Sequence, residues 1–300
     1  MILSDCKYFI TGSTGFVGTS VIKAFKKKNF YLWERESIIK IQDVECVIHL
    51  AGKAHDLKNT SSSDEYYKVN TQLTKKIFDA FLVSKAKVFI TLSSVKAIAD
   101  QVDGEVSEEV IPNPITHYGK SKLLAEQYIL SLPLPEDKRV YILRPCMIHG
   151  PGNKGNLNLL YNLVSKGLPW PLGSFINSRS FLSIENLCFI IKELIEREDI
   201  PSGVYNVADD IPLSTNEVIN IIAESDGKKA TILNMSQKLI KLLARVGDFL
   251  KLPLDSERLQ KLTESYVVSN TKIKAALRKP LPISSKEGLI KTFQSFSSNV

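Results

Sequence analysis

Three groups of residues in this 300-residue chain have types and spacings that could do chemistry. In Tyr118-Gly-Lys-Ser-Lys122 a phenol and an ammonium stand four positions apart, so on a helix they share one face. A cation beside the phenol favours phenolate and lowers a pKa that starts near 10, bringing Tyr118 into range for proton transfer at neutral pH. Ser93-Ser94 follow the apolar run Val88-Phe-Ile-Thr-Leu92, and a hydroxyl there can hydrogen-bond a reacting oxygen. Thr11-Gly-Ser-Thr-Gly-Phe-Val-Gly18 spaces three glycines as G-x-x-G-x-x-G between a strand and a helix. Gly12 permits the tight turn, Gly15 lets backbone approach a pyrophosphate, and Gly18 allows close helix-to-strand packing. The helix N-terminus adds free N–H groups and positive potential for phosphates, so a dinucleotide is the expected cofactor.

The elements that must position these groups alternate. Tyr8-Phe-Ile10 precedes a helix from about Gly15 to Lys28; Phe30–Trp33 and Cys46–Leu50 read as strands; a helix near Asn70–Val83 precedes the strand 88–92. A helix near Tyr118–Ser131 leads to the strand Val140–Leu143. Continuous apolar strands between amphipathic helices predict an α/β fold: a doubly wound, Rossmann-type parallel sheet covered on both faces. After Pro151 the pattern becomes loop-rich, with helices at about 157–166, 185–197, 215–225 and 237–251 and short strands such as Val204–Val207. Residues 1–150 thus read as a dinucleotide-binding domain. Residues 151–300 read as a smaller substrate-binding lobe, with segments near 179–207 returning to the first unit. Ligands bind outside the carboxyl ends of such strands, which places substrate in the cleft between the lobes. Leu239, Leu242, Leu243, Val246, Phe249 and Leu250 give the helix 237–251 one apolar side, with Lys238, Lys241, Arg245 and Lys251 among the remainder. Such a helix could touch anionic lipid, but the expectation is that it packs its apolar side on the lobe core.

Composition agrees with a globular chain: 44% hydrophobic and 24% charged residues exclude a disordered, collagen-like or disulfide-scaffold chain. The net charge of +7 suits an anionic ligand but is spread along the chain, which argues against a nucleic-acid partner. Cys6, Cys46, Cys146 and Cys188 lie apart in apolar runs and read as reduced thiols of a cytoplasmic protein. Neither a signal peptide nor an uncharged apolar stretch of membrane-spanning length is indicated. His49, His55, His117 and His149 show no metal-binding spacing.

Together the glycine run, Ser94, Tyr118 and Lys122 give a chain that resembles the extended short-chain dehydrogenases/reductases of the NAD-dependent epimerase/dehydratase type. The resemblance extends to the strand-end run His49-Leu50-Ala51-Gly52, to Asn70 in Tyr67-Lys-Val-Asn70, and to Arg144-Pro145 with Gly150-Pro151-Gly152. It implies Ser94, Tyr118 and Lys122 as catalytic residues. Gly12, Thr14, Gly15, Phe16, Val17, Gly18, Arg35, Leu50, Ala51, Gly52, Asn70 and Pro145 would contact NAD together with Tyr118 and Lys122. A homodimer through the helices near 70–83 and 117–131 is also implied.

Within the family the second lobe resembles enzymes that act at C4 of UDP-linked hexoses and N-acetylhexosamines in polysaccharide pathways. Asn153-Lys-Gly-Asn156-Leu157 and Asn177-Ser-Arg179 carry that pattern. By resemblance Asn156, Arg179 and Arg258 would bind the substrate beside Ser94, with Lys261 as a further phosphate candidate; a guanidinium grips phosphate in a bidentate way. The expected activity is a 4-epimerase working through a 4-keto sugar. A 4-keto reductase using NAD(P)H and a non-catalytic cofactor-binding regulator stand as alternatives. A 4,6-dehydratase would need an Asp-Glu pair after the catalytic hydroxyl, where this chain has Val95-Lys96. Only twelve residues, Glu34 to Glu45, separate Trp33 from Cys46, where the family usually places a strand, an adenine-contacting aspartate and a helix. In Glu34-Arg35-Glu36 an acid suits the NAD ribose and the arginine the extra phosphate of NADP. His149 replaces the family's tyrosine and reads as a structural histidine or a substrate contact.

Overall fold

The computed structural model describes residues 7–25, 30–35, 37–41, 43–53, 62–153, 155–250 and 255–297. Its centre is a six-stranded parallel sheet in the order β2-β1-β3-β4-β6-β9, built from β1 (Tyr8–Thr11), β2 (Phe30–Trp33), β3 (Cys46–His49), β4 (Val88–Leu92), β6 (Arg139–Pro145) and β9 (Gly203–Val207). Alternate residues of each strand face opposite layers. Ile10, Ile48 and Ile90 pack with Val21 of α1 (Phe16–Phe25) and Leu187 and Ile191 of α6 (Ile184–Glu196). Phe9, Val47 and Phe89 pack on the other side with Ile77, Phe78 and Phe81 of α3 (Leu73–Leu82) and Ile129 of α4 (His117–Ser131). Both faces of the sheet are therefore dry, which is why its strands read as unbroken apolar runs.

Local chemistry starts and stops these elements. Thr116 Oγ1 accepts from Gly119 N at 3.1 Å to cap α4, and Ser183 caps α6 through Glu185 N. The buried Lys138 ammonium donates to the carbonyls of Ser84 and Ala86, at 2.8 and 2.6 Å, fixing the corner where α3 hands the chain to β4. The helix expected from Asn70 begins earlier, with α2 (Ser63–Tyr66) running into a π-helical turn, Tyr67–Gln72, before α3. Between β2 and β3 no further strand or helix occurs among the described residues; Ile41 and Val44 turn inward to the Phe9 layer.

A separate apolar cluster joins α5 (Asn156–Ser165), α7 (Thr215–Ser225), α8 (Gln237–Leu250), α9 (Ser256–Thr263) and α11 (Ser285–Ser297), with Trp170, Leu172 and Phe175. Short parallel pairs stitch this lobe to the sheet: β7 (Met147–His149) with β8 (Phe181–Ser183), and β5 (Glu105–Val106) with β10 (Val267–Val268). The helix α10 (Thr271–Leu277) lies against β9 and returns Ile273 and Leu277 to the first core. The apolar side expected to bury α8 in the lobe core instead faces out. Ile240, Ala244 and Gly247 make the packing face, while Leu239, Leu242, Leu243, Val246, Phe249 and Leu250 are exposed. Among the described cysteines Cys46, Cys146 and Cys188 are free thiols, and no described helix is long and apolar enough to cross a membrane.

His49 ties β3 to β1 and to α3, its Nδ1 2.7 Å from Thr11 Oγ1 and its Nε2 2.9 Å from Thr74 Oγ1. Burial, with the Lys122 charge second, pulls its pKa down from 6.5 to about 3. The unfolded imidazole takes up a proton as pH falls through about 6.5 while the folded one does not, so acid favours the unfolded chain. Lowering the pH from 7 to 5 should therefore remove about 2 kcal/mol of stability through this one residue. Urea denaturation of wild type and His49→Asn at the two pH values measures it: the variant should lose that much less.

Candidate active site

The glycine run sits at the carboxyl edge of β1. Gly12 has φ +72°, and a Cβ on it would lie 2.6 Å from Ala51 N; a Cβ on Gly18 would lie 2.1 Å from Gly12 O. A side chain at Gly12 would push the loop off the segment after β3, and one at Gly18 would push α1 off the loop. At the crest, Thr14 and Gly15 are exposed, and a Gly15 Cβ would meet only Gly12 O, at 3.4 Å. Phe16 and Val17 open α1, where the first turn's N–H groups have no helical acceptor. The bare crest, the backbone donors and the helix terminus fit a dinucleotide diphosphate. Phe16 reaches back toward Gly150, where a Cβ would meet its ring at 3.3 Å. Arg35 is exposed in the turn after β2, beside Glu34; Glu36 and His55 lie outside the described residues.

Leu50, Ala51 and Gly52 continue from β3 next to this loop, with Ala51 N donating to Thr11 Oγ1 at 3.1 Å. Asn70 lies fully buried in the π-helical turn and holds the segment from beneath. Its Oδ1 accepts from Lys53 N at 2.8 Å, and its Nδ2 donates to Lys53 O at 3.1 Å and to Ser121 Oγ at 3.0 Å. Both amide hydrogens are thus committed to protein, so the observed work of Asn70 is to clamp the strand end to α4. Pro145 is buried at the end of β6, paired with Val207.

Ser94 leaves β4 in extended backbone and its Oγ accepts from Lys96 N at 3.2 Å, capping the short turn Val95–Ala97. That turn presses on α4: a Cβ on Gly119 would lie 2.3 Å from Lys96 O. The close approach is what brings Tyr118 to Ser94, with which its hydroxyl hydrogen-bonds. Tyr66 packs edge-on against Tyr118, ring centroids 6.2 Å apart. Lys122, one turn along α4, is buried and donates to Leu92 O at 2.7 Å.

The electrostatics correct one expectation. Burial raises the Tyr118 pKa above its ordinary value, the Ser94 hydrogen bond opposes it, and Tyr66 adds to the rise; the Lys122 charge is not among the causes. Lys122 is instead turned to the Leu92 carbonyl, and burial draws its own pKa from 10.5 down to about 8, with the charge of Glu126 opposing. Glu126, four residues further along the same face, was not singled out from the sequence. It is buried, held by Arg144 Nε at 3.0 Å and Nη2 at 2.5 Å, and it accepts a hydrogen bond from Ser93 Oγ. Asp100 was missed too: its carboxylate accepts from Ile115 N and from Thr116 N and Oγ1, fixing the residue that caps α4.

A groove of about 580 Å³, lined in part by Asp100, Asn113, Ile115, Gln260 and Glu264, lies between the loop after Ser94 and α9. At its margin Lys96 Nζ sits 4.2 Å over the Tyr266 ring and donates to Asp100 O. Arg179 is mostly buried, donating to Lys261 O at 2.6 Å and standing 3.6 Å from Glu264. Arg258 is exposed on α9, its Nε 3.6 Å from Asp255, and Lys261 pairs with Glu257. Asn156 opens α5. His149 is fully buried, 2.9 Å from Thr292 Oγ1 and 3.6 Å from Asp209 Oδ2, which places it in the lobe junction as a structural histidine.

Comparison with known proteins agrees with this geometry. The chain is 31% identical to a UDP-glucose 4-epimerase of Vibrio cholerae, covering 96% of this chain and 94% of that protein. It is 27% identical to an N-acetyl-alpha-D-glucosaminyl-diphospho-ditrans,octacis-undecaprenol 4-epimerase of Escherichia coli O157:H7, covering 88% and 83%. The fold matches that of a UDP-glucuronic acid 4-epimerase from Bacillus cereus solved with NAD, with a TM-score of 0.72 at 19% identity over 97% of this chain and 99% of that one. Residues 32–208 match the model of the NAD dependent epimerase/dehydratase family, and with the near full-length likeness to the Vibrio enzyme this establishes that the chain is an enzyme belonging to that family.

Proposed function

We propose that this enzyme is a nucleotide-sugar 4-epimerase, acting on a UDP-hexose or UDP-N-acetylhexosamine through a 4-keto intermediate with NAD bound on the glycine crest. The observation that carries the reading is the Ser94–Tyr118 hydroxyl pair at the carboxyl edge of β4, with Lys122 buried behind it, in a chain so similar over its length to a UDP-glucose 4-epimerase. When bound, the nicotinamide would accept hydride from C4 and return it to the other face. The chain's own residues handle the proton. Tyr118 takes it from the C4 hydroxyl and gives it back, while Ser94 donates a hydrogen bond to the same oxygen as it becomes a carbonyl. Tyr118 needs a cation to work as a base because burial holds its proton on, and Lys122, charged below about pH 8, is the one built into the same helix face.

In this reading the sheet unit holds the cofactor and the second lobe the sugar nucleotide, with Arg179, Arg258 and Asn156 proposed as the residues that bind its diphosphate. A homodimer through α3 and α4 is supported by Leu124 and Leu130, exposed on α4, and by Val83, exposed after α3. We place the enzyme in the cytoplasm, in polysaccharide biosynthesis. The exposed Arg35 favours a second reading, a 4-keto reductase using NADPH, since a guanidinium there suits the 2′-phosphate.

Incubating the protein with UDP-N-acetylglucosamine and NAD should yield UDP-N-acetylgalactosamine with no net NADH. NADPH consumption with a 4-keto sugar nucleotide, and no conversion in the first assay, would establish the reductase instead. Tyr118→Phe should lower turnover by about 10²–10⁴-fold with cofactor binding intact, as expected for loss of a positioned acid–base group; near-normal turnover would remove Tyr118 from the mechanism. A second prediction concerns pH. If the Lys122 ammonium is required, kcat/KM falls as pH rises through about 8. Glu126→Gln takes away the charge that holds the Lys122 pKa up, so the alkaline limb should move to lower pH. The same change strands Arg144 and should cost about 3–5 kcal/mol in urea unfolding.

A further inference from the structure

The outward face of α8 is an apolar surface that the proposed reaction leaves unused. The six exposed apolar residues, Leu239, Leu242, Leu243, Val246, Phe249 and Leu250, fall within an arc of about 120°, and Lys238, Lys241 and Arg245 fill an adjoining arc of about 60°. Phe249 is 91% exposed and Leu242 57%. The single acid of the helix, Asp248, is turned to α9, accepting from Ser256 N at 2.8 Å and Ser256 Oγ at 2.6 Å. Contiguous apolar patches of this kind mark an interaction surface.

Charge selects the occupant. A second copy laid antiparallel on this face by a two-fold axis would bring the basic edge of α8 against the same edge of its partner, with Asp248 already engaged. An anionic headgroup layer complements that edge and accepts the apolar arc below it. The helix has 14 residues, about 21 Å, which is too short to span a hydrocarbon core but long enough to lie along its boundary. We propose that α8 seats this protein on an anionic lipid bilayer, with Leu242, Val246 and Phe249 entering the acyl boundary and Lys238, Lys241 and Arg245 on headgroup phosphates. The seat is coupled to the substrate lobe, because Gln237 Nε2 donates to Ser174 O at 2.8 Å, at the start of the loop that carries Arg179.

Flotation of the full chain with vesicles of phosphatidylcholine, alone or mixed with phosphatidylglycerol, tests this. The protein should float with the mixed vesicles, less at high salt, and Lys238→Gln, Lys241→Gln or Arg245→Gln should each lower the partition about fivefold. Leu242→Glu combined with Phe249→Glu should abolish flotation with the melting temperature unchanged. A wild-type protein that stays behind with mixed vesicles, or a double variant that floats like wild type, would overturn the proposal. So would a homodimer that the double variant splits into monomers, since a second copy would then cover α8.

Discussion

The Glu126–Arg144 pair is the interaction on which the arrangement of the site depends. Both groups are buried, so each ion is stable only while the other is in place, and breaking such a pair costs far more than an exposed one. Its two ends belong to α4 and β6, and the Ser93 hydroxyl from the end of β4 joins it. Three elements are thereby held to one point in low dielectric. Tyr118, Lys122 and Glu126 stand at successive four-residue steps of α4, so anchoring the third fixes the axial position and rotation of the first two.

Around this anchor the close contacts are between backbones. Gly119 against the Lys96 carbonyl, Gly18 against the Gly12 carbonyl and Gly12 against Ala51 leave no side chain to adjust in between. Helix-to-loop distances are therefore set by peptide groups, which vary little, and the hydroxyl of Ser94 can be delivered to Tyr118. The acidic and amide side chains of Asp100 and Asn70 supply what the glycines cannot, tying neighbouring segments to Thr116 and Ser121 in the N-terminal part of α4.

Much of this was legible in the sequence, and the parts that were not share a cause. Parallel strands announce themselves as apolar runs, and a Tyr and Lys four apart announce one helical face, because both signals are local. The Glu126–Arg144 pair is not local: a lone glutamate in one element and an arginine in another become partners only once strand register sets them together. The pKa of Tyr118 depends on burial, and spacing to Lys122 carries no information on which way that ammonium turns. For α8 the periodicity located an amphipathic helix correctly, but a narrow ridge of Ile240, Ala244 and Gly247 makes the contact, and nothing in the pattern says which of two apolar arcs the lobe will cover. Asn70 sits on a turn whose π form has no residue signature of its own.

That turn sets the phase of its helix. The Leu73 N–H reaches the Lys68 carbonyl five residues back, so one residue more than a regular turn is accommodated. Everything before it is rotated by about 100° relative to an unbroken α-helix. Upstream, Tyr66 meets Tyr118; downstream, Ile77, Phe78 and Phe81 meet the sheet. A regular helix could satisfy one of these sets but not both. The inserted residue works as a vernier between the core and the site, so that substitutions which suit sheet packing need not misalign the groups facing α4.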